Sequence, residues 1–335
     1  MTIPTRTLAS IGTAGLLAMS LAACGSDAGG TGGAEAEEGA PTFAFVTGDI
    51  SDFGQVQIEG MKSVVEPLGG SLTVFDSSDV ETQNADCMDI VSSGRYNGIV
   101  LNPLSGPGSI PCVDGAREAG IPVVGLETII GPDETQTAPQ VDGVIASVSA
   151  GLIAGGEASA DLLEEACEGK DPCRYIQIVG SQAYQLEAVK LQVFEERFGG
   201  DSRFQRVALG EDGYNPEEGR QVVRDLLAAN PDVDVILNST DSTAVQVVDM
   251  LEAEGRDDVV VLGDGASRQG VESIKEGGVY GTTVLAPFTW GEIAAQALVD
   301  HINGDDVITP EEVADEITPY VLTEGNVEGI EGQWG

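Results

Sequence analysis

An α/β fold of two similar parallel-sheet lobes is what this chain encodes, and three observations predict it. Short, continuous apolar runs alternate with amphipathic stretches of helical length, the pattern of strands covered on both faces by helices. The alternation occurs twice: strand starts are spaced 29, 27 and 24 residues apart in the first half and 29, 31 and 24 in the second. Apolar residues make up 41% of the 335 positions, enough for two cores of ordinary domain size.

The segment ahead of the first strand reads as a means of export and attachment. Arg6 supplies positive charge, residues 8–23 are an unbroken run of apolar and small residues, and Leu21-Ala22-Ala23-Cys24 closes the run. It is shorter than the roughly 20 residues a bilayer span needs. The closing stretch resembles the lipobox of bacterial lipoproteins. That makes residues 1–23 a cleaved signal peptide and Cys24 the lipid-bearing residue, anchoring an extracytoplasmic body to the outer face of the cell membrane. Residues 24–40 are Gly-rich and acidic with no apolar period, which predicts a disordered tether.

Regular structure begins at Thr42. Strands are expected at TFAFV, at SLTVF from Ser71, at GIVL from Gly98 and at PVVG from Pro122, with helices over 56–68, 82–93 and 112–119 between them. A helix near 150–165 leads into the second half. There the strands are YIQIV from Tyr175, FQRVAL from Phe204, VIL from Val235 and VVVLG from Val259, separated by helices over 184–198, 216–229 and 243–254. A strand over 281–285, a helix over 291–303 and a strand over 319–322 complete the body.

The formal net charge is −41. A surface so acidic repels nucleic acid and anionic lipid, so membrane contact is expected through the lipid anchor alone. With Cys24 assigned to lipid, Cys87, Cys112, Cys167 and Cys173 remain, an even number in an oxidising location. Three connectivities are possible. Cys167 and Cys173 flank the turn Glu-Gly-Lys-Asp-Pro, where local pairing is easy, which leaves Cys87 for Cys112. No metal site is expected, because there is no C-x2-C pair and His301 is the sole imidazole.

Chemistry in open parallel sheets sits at the carboxyl ends of the strands. In the first half those ends run into Thr47-Gly-Asp-Ile-Ser-Asp-Phe53, Asn102-Pro103 and Glu127-Thr128. In the second half they run into Gly180-Ser-Gln-Ala-Tyr184, Asn238-Ser-Thr-Asp241 and Asp264-Gly-Ala266. Two facing lobes would bring these carboxylates, hydroxyls, amides and aromatics together. Ser, Asp and Asn in such places also serve as helix N-caps, and aromatics such as Phe53, Tyr184 and Trp290 also pack cores. Nucleophilic templates fail for want of a placed imidazole, and neither a P-loop nor G-x-G-x-x-G occurs, so no enzyme and no cofactor is expected.

The stretches SDFGQVQIEGMK, DIVSSGRYNGIVLNP, AREAGIPVVGLE, NPDVDVILNSTDSTAVQVVDML and VVVLGDGA together resemble the type I periplasmic binding proteins of the ribose/galactose class, the ligand-capturing subunits of sugar ABC importers. The resemblance covers nearly the whole body in order and spacing. It implies two Rossmann-like lobes joined by a three-segment hinge: an N-terminal lobe of 41–141 plus 287–319 and a C-terminal lobe of 142–286 plus 320–335, flexing near 140–143, 285–287 and 318–320. It further implies a monomer that closes on a sugar-like molecule and delivers it to an ABC permease and its ATPase; the alternative is a sensor presenting ligand to a membrane receptor kinase.

The family's ring-stacking aromatic falls on Phe53, beside Asp52, and its acidic residue on Glu127, followed here by Thr128. Its second-lobe arginine falls on Lys190, its Asn-Asp pair on Thr240 and Asp241, and its Asp before Gly on Asp264. Its glutamine at the last crossing falls on Ala286, with Phe288 and Trp290 nearby. Asn102 and Tyr184 complete the expected ligand-binding set. The two arginines that normally fork onto sugar hydroxyls are absent, which argues against ribose and for a different sugar, or a bulkier, less hydroxylated or cationic ligand.

Overall fold

Alternation along the first strand sets the architecture of the first lobe. In β1 (Thr42–Thr47), Phe43 and Phe45 face one side and Ala44 and Val46 the other, and all four are fully buried. A strand buried on both faces needs helices on both. Phe43 and Phe45 meet α1 (Asp52–Val65) and α9 (Pro287–Asn303); Ala44 and Val46 meet α2 (Val80–Ser93) and α3 (Ile110–Glu118). The computed structural model describes residues 40–133, 135–316 and 320–335. The expected signal peptide, Cys24 and nearly all of the tether lie outside them.

With β2 (Ser71–Asp76), β3 (Gly98–Leu101), β4 (Val123–Leu126) and β5 (Val144–Val148), β1 forms a parallel sheet in the order β2-β1-β3-β4-β5. The second sheet contains β6 (Cys173–Val179), β7 (Phe204–Glu211), β8 (Val235–Leu237), β9 (Val260–Leu262), β10 (Gly281–Thr283) and β11 (Val321–Thr323). Its order is β11-β10-β9-β8-β6-β7, parallel except for the β10–β11 pair. Leaving β11 aside, the first five strands of each lobe take the same positions, so the doubled spacing in the sequence is a doubled topology. Helices α4 (Leu152–Ala166), α5 (Gln185–Phe198), α6 (Pro216–Ala229), α7 (Asp241–Glu254) and α8 (Arg268–Glu276) cover the second sheet, and α10 (Pro310–Glu316) packs near β5.

Three expectations are corrected. Residues 144–148, placed beyond the first lobe, form β5 of the first sheet: they pair with β4, and Val144, Ala146 and Val148 are buried there. The first sheet therefore extends to Val148, beyond the 140–143 expected for the first crossing. The strand expected over 281–285 ends at Thr283, which leaves 284–286 as the second crossing. Of the third crossing only Tyr320 is described. Helices α8 and α10 add to the expected elements: α8 buries Gly270, Val271 and Ile274 on one face of an otherwise polar nine-residue stretch, and the seven-residue α10 buries only Val313.

Two local features hold the lobes. Helices α1 and α9 pack so closely that a Cβ on Gly60 would lie 2.1 Å from the Phe288 carbonyl oxygen, and one on Gly291 would lie 2.1 Å from that of Gln57. Both disulfides are formed, one per lobe: Cys87–Cys112 joins α2 to α3, and Cys167–Cys173 joins the end of α4 to β6. Among the described residues no helix is long and apolar enough to cross a membrane.

Candidate functional site

The carboxyl ends of the strands in both sheets open on one cavity of about 420 Å³. The first lobe contributes Ser51, Asp52 and Phe53 at the start of α1, and Glu127 just after β4. From the second lobe come Glu187 and Lys190 of α5, Tyr214 after β7, Ser239 and Thr240 after β8, and Asp264 after β9. Thr283 lines it at the end of β10, Val284 and Leu285, with Ala150 and Tyr320, line it where the chain passes between lobes, and Trp334 lines it as well.

On the first lobe, Glu127 is the buried acid. Its backbone is left-handed (φ 65°), a conformation uncommon for a residue that carries a Cβ. One carboxylate oxygen accepts both from the Gln57 side-chain amide at 2.9 Å and from that of Asn102 at 2.9 Å. No cation faces it. Burial raises the Glu127 carboxyl to about 6, the two amides pull it down, and the charge of Asp49 adds to the rise. Phe53 stands beside it, edge-on to the buried Trp290 at 6.1 Å and to Trp334 at 5.3 Å.

The second lobe treats its acids differently. Lys190, nearly buried, contacts the Asp264 carboxylate directly and Glu187 at 3.5 Å. The other Asp264 oxygen accepts from the Thr283 hydroxyl. Glu187 accepts from the Tyr214 hydroxyl at 3.0 Å and from the Gly180 backbone N–H at 2.9 Å. Burial works against the ammonium, but Asp264 and Glu187 outweigh it and hold Lys190 above its ordinary value. Burial and then the neighbouring Glu187 raise the Tyr214 phenol.

Of the residues expected from sequence, Asp52, Phe53, Glu127, Lys190, Thr240 and Asp264 line the cavity. Thr240 also caps α7, accepting from the Thr243 N–H, so here the capping role and the cavity position coincide. The other five do not line it. Asn102 stands behind Glu127 as its hydrogen-bond donor. Thr128 follows Glu127 without reaching the cavity. Tyr184 is half exposed and stacks on the outer face of Tyr214 at 5.8 Å. Asp241 is fully buried, its oxygens taken by the Thr282 hydroxyl and the Ser267 N–H. Phe288 contributes its N–H to Gln333. Burial, partly offset by those hydrogen bonds, raises Asp241 to about 6.

Sequence reasoning missed Glu187, Tyr214 and Trp334. Tyr214 follows β7, so the rule about strand ends would have found it had that end been read. Glu187 sits three residues before Lys190 on one helix face, a spacing at which side chains meet. Trp334 carried no signal beyond being one of two tryptophans.

A family model described as a periplasmic binding protein domain matches residues 43–306. The ribose import binding protein RbsB of Bacillus subtilis is 23% identical over 256 residues, 74% of this chain and 77% of that protein. Among solved structures, an ABC transporter periplasmic solute-binding protein from Actinobacillus succinogenes with bound D-allose superposes with a TM-score of 0.68 at 19% identity, covering 82% of this chain and 99% of the other. A solute-binding protein from Bacillus halodurans with bound myo-inositol superposes with a TM-score of 0.65 at 21% identity, covering 85% and 99%.

Proposed function

This chain belongs to the periplasmic binding protein family, and on that premise we propose that it captures a neutral sugar or polyol between its lobes and delivers it to an ABC importer. It is a binding protein and not an enzyme. The observation that carries the ligand class is the cavity wall: carboxylates and hydroxyls from both lobes beside Phe53, with no arginine among the lining residues. Carboxylates accept hydrogen bonds from ring hydroxyls, and an aromatic face covers ring C–H groups. Among the described residues lining the cavity Lys190 is the one cation, and two carboxylates already occupy it, so an anionic solute would meet uncompensated negative charge. A volume of about 420 Å³ falls within the roughly 300–1,000 Å³ of small-molecule sites.

Delivery follows from closure. A ligand favours the closed form only by binding it better than the open one, and contacts from both lobes meet that condition. The crossings at 149–151 and 284–286 and the one near Tyr320 would absorb the rotation. The protein acts as a monomer held to the outer face of the cell membrane through lipidated Cys24. The contacting groups are Asp52, Phe53, Glu127, Lys190, Thr240 and Asp264, with Tyr214 added from the structure; Asn102 supports Glu127 from behind, while Thr128, Tyr184, Asp241 and Phe288 lie off the cavity.

Calorimetry with D-ribose, D-allose and myo-inositol, alongside mass spectrometry of small molecules released from purified protein, tests the ligand class. Binding of a neutral hydroxylated ring is expected, D-ribose being the weakest of the three; release of a phosphorylated or carboxylated cargo would overturn the reading. Small-angle scattering should show a smaller radius of gyration on saturation. For the anchor, Cys24→Ser should move the protein from the membrane fraction to the soluble one.

A further inference from the structure

The segment 332–335 is bound to both lobes at once. On the second lobe, the Arg268 backbone N–H donates to the Trp334 carbonyl oxygen at 2.7 Å, and the Arg268 guanidinium donates to the carbonyl oxygens of Gln333 at 2.8 Å and Gly335 at 3.1 Å. The Trp334 indole N–H donates to the Gly265 carbonyl oxygen at 2.9 Å. On the first lobe, the Gln333 side-chain oxygen accepts from the N–H groups of Phe288 and Thr289 in the first turn of α9, at 3.0 and 3.2 Å. The Gln333 amide donates to the Thr289 hydroxyl at 2.7 Å, and the Gly335 N–H donates to Asp52 at 2.9 Å.

The indole has a prepared seat. Gly265 is left-handed (φ +117°), and a Cβ there would lie 2.5 Å from the Trp334 ring. Gly332 runs so close to Ser267 and Arg268 that a Cβ would come within 2.4 Å of their backbone. Trp334 belongs to neither lobe's buried core. It lines the cavity instead, its plane at 86° to that of Phe53. The two rings make an apolar corner, one wall from the first lobe and one from this segment.

We propose that residues 332–335 form an interlobe clasp that steadies the closed cleft and carries Trp334 into the cavity as a second ligand-contacting aromatic. The ligand class is the one proposed above, on which this rests: a hydroxylated ring whose C–H faces seat in the corner while its hydroxyls meet the carboxylates. Opening the cleft must break one set of the clasp's hydrogen bonds, so the clasp couples ligand contact to lobe position.

Two arms test it. In the first, without any ligand, residues 332–335 are deleted and, separately, Gln333→Ala is made. Amide exchange by NMR should speed up at Phe288 and Thr289, whose N–H groups the clasp covers, and the radius of gyration should rise for the deletion. Unchanged exchange in both variants, or an unchanged scattering curve for the deletion, overturns the clasp. In the second arm, calorimetry with D-allose and myo-inositol compares wild type with Trp334→Ala and Trp334→Phe. Alanine should weaken binding about five- to tenfold and phenylalanine less, the size expected for one aromatic contact. Equal dissociation constants overturn the aromatic role. If wild type binds neither probe, the sugar reading falls, while the exchange arm still decides the clasp.

Discussion

On the first lobe the buried carboxylate at the cavity, Glu127, is met by two amides and, among the described residues, by no cation; on the second, Asp264 and Glu187 share Lys190. The sheets carrying these groups have the same strand order, so the contrast arises in side chains and not in topology. Amides satisfy hydrogen bonds but leave the cost of burying charge largely unmet, and Glu127 rises to about 6. A neighbouring cation changes the balance, and Lys190 is held charged beyond its ordinary range. Asp241 shows the rule inside the second lobe: bonded to a hydroxyl and a backbone N–H but to no cation, it also rises to about 6. The first lobe thus presents a titratable acid to the cavity, and the second presents a preassembled charge network.

Removing the cation should break the second lobe's arrangement most severely. Lys190→Met leaves Glu187 and Asp264 buried together with nothing between them, and breaking a buried pair this way costs about 3–5 kcal/mol. Urea denaturation of Lys190→Met and of Glu127→Gln, which keeps shape and removes charge, measures the contrast. The Glu127 change should not destabilise the protein at pH 7, because it removes a charge whose burial is unfavourable there. Similar losses in the two variants would erase the distinction between the lobes.

The disulfides sharpen the same comparison. Cys87–Cys112 closes 25 residues and Cys167–Cys173 closes 6. Chain entropy alone assigns about 3.5 kcal/mol to the longer loop and about 2 kcal/mol to the shorter. Paired alanine substitutions should therefore destabilise the first lobe more than the second, in denaturation followed at probes within each lobe. The reverse order would mean that packing around each bridge outweighs loop length.

A smaller effect should appear in acid. The folded value of Glu127 lies above its ordinary 4.5, so between about 4.5 and 6 the native state holds the proton more tightly than the unfolded chain. Its contribution to stability is full below that window and is lost as pH rises through it. Asp241, raised from 3.8 to about 6, slopes the same way. Unfolding midpoints of wild type and Glu127→Gln between pH 4 and 7 should show a shallower fall for the variant, with a residual slope from Asp241. Parallel curves would mean that burial does not control Glu127.

Tyr184→Ala should do least. The ring is half exposed, stacked on Tyr214 and off the cavity, so affinity in calorimetry should change less than about twofold and stability by about 0.5 kcal/mol. A tenfold loss of affinity would place Tyr184 in contact with ligand when the lobes close.

Local pattern was enough to find ten of the eleven strands, the two similar halves and the pairing of four cysteines. Each depends on short-range alternation, on spacing or on parity, which a window of a few residues reveals. It also marked Phe53, Glu127 and Asp264, which line the cavity, because loops after the strands of a parallel sheet gather at one end of it wherever the sheet stands. β5 escaped for a local reason of the opposite kind: five residues beside a crossing carry too little pattern to say which sheet they join. The other decisions needed the folded chain. Lys190 meets Asp264 across 74 residues, and Asp52 meets Gly335 across 283. Whether Asp241 faces ligand or core, and whether Trp334 is a loose end or a wall, depends on such distant encounters, because burial and charge pairing are properties of neighbours that only three dimensions supply.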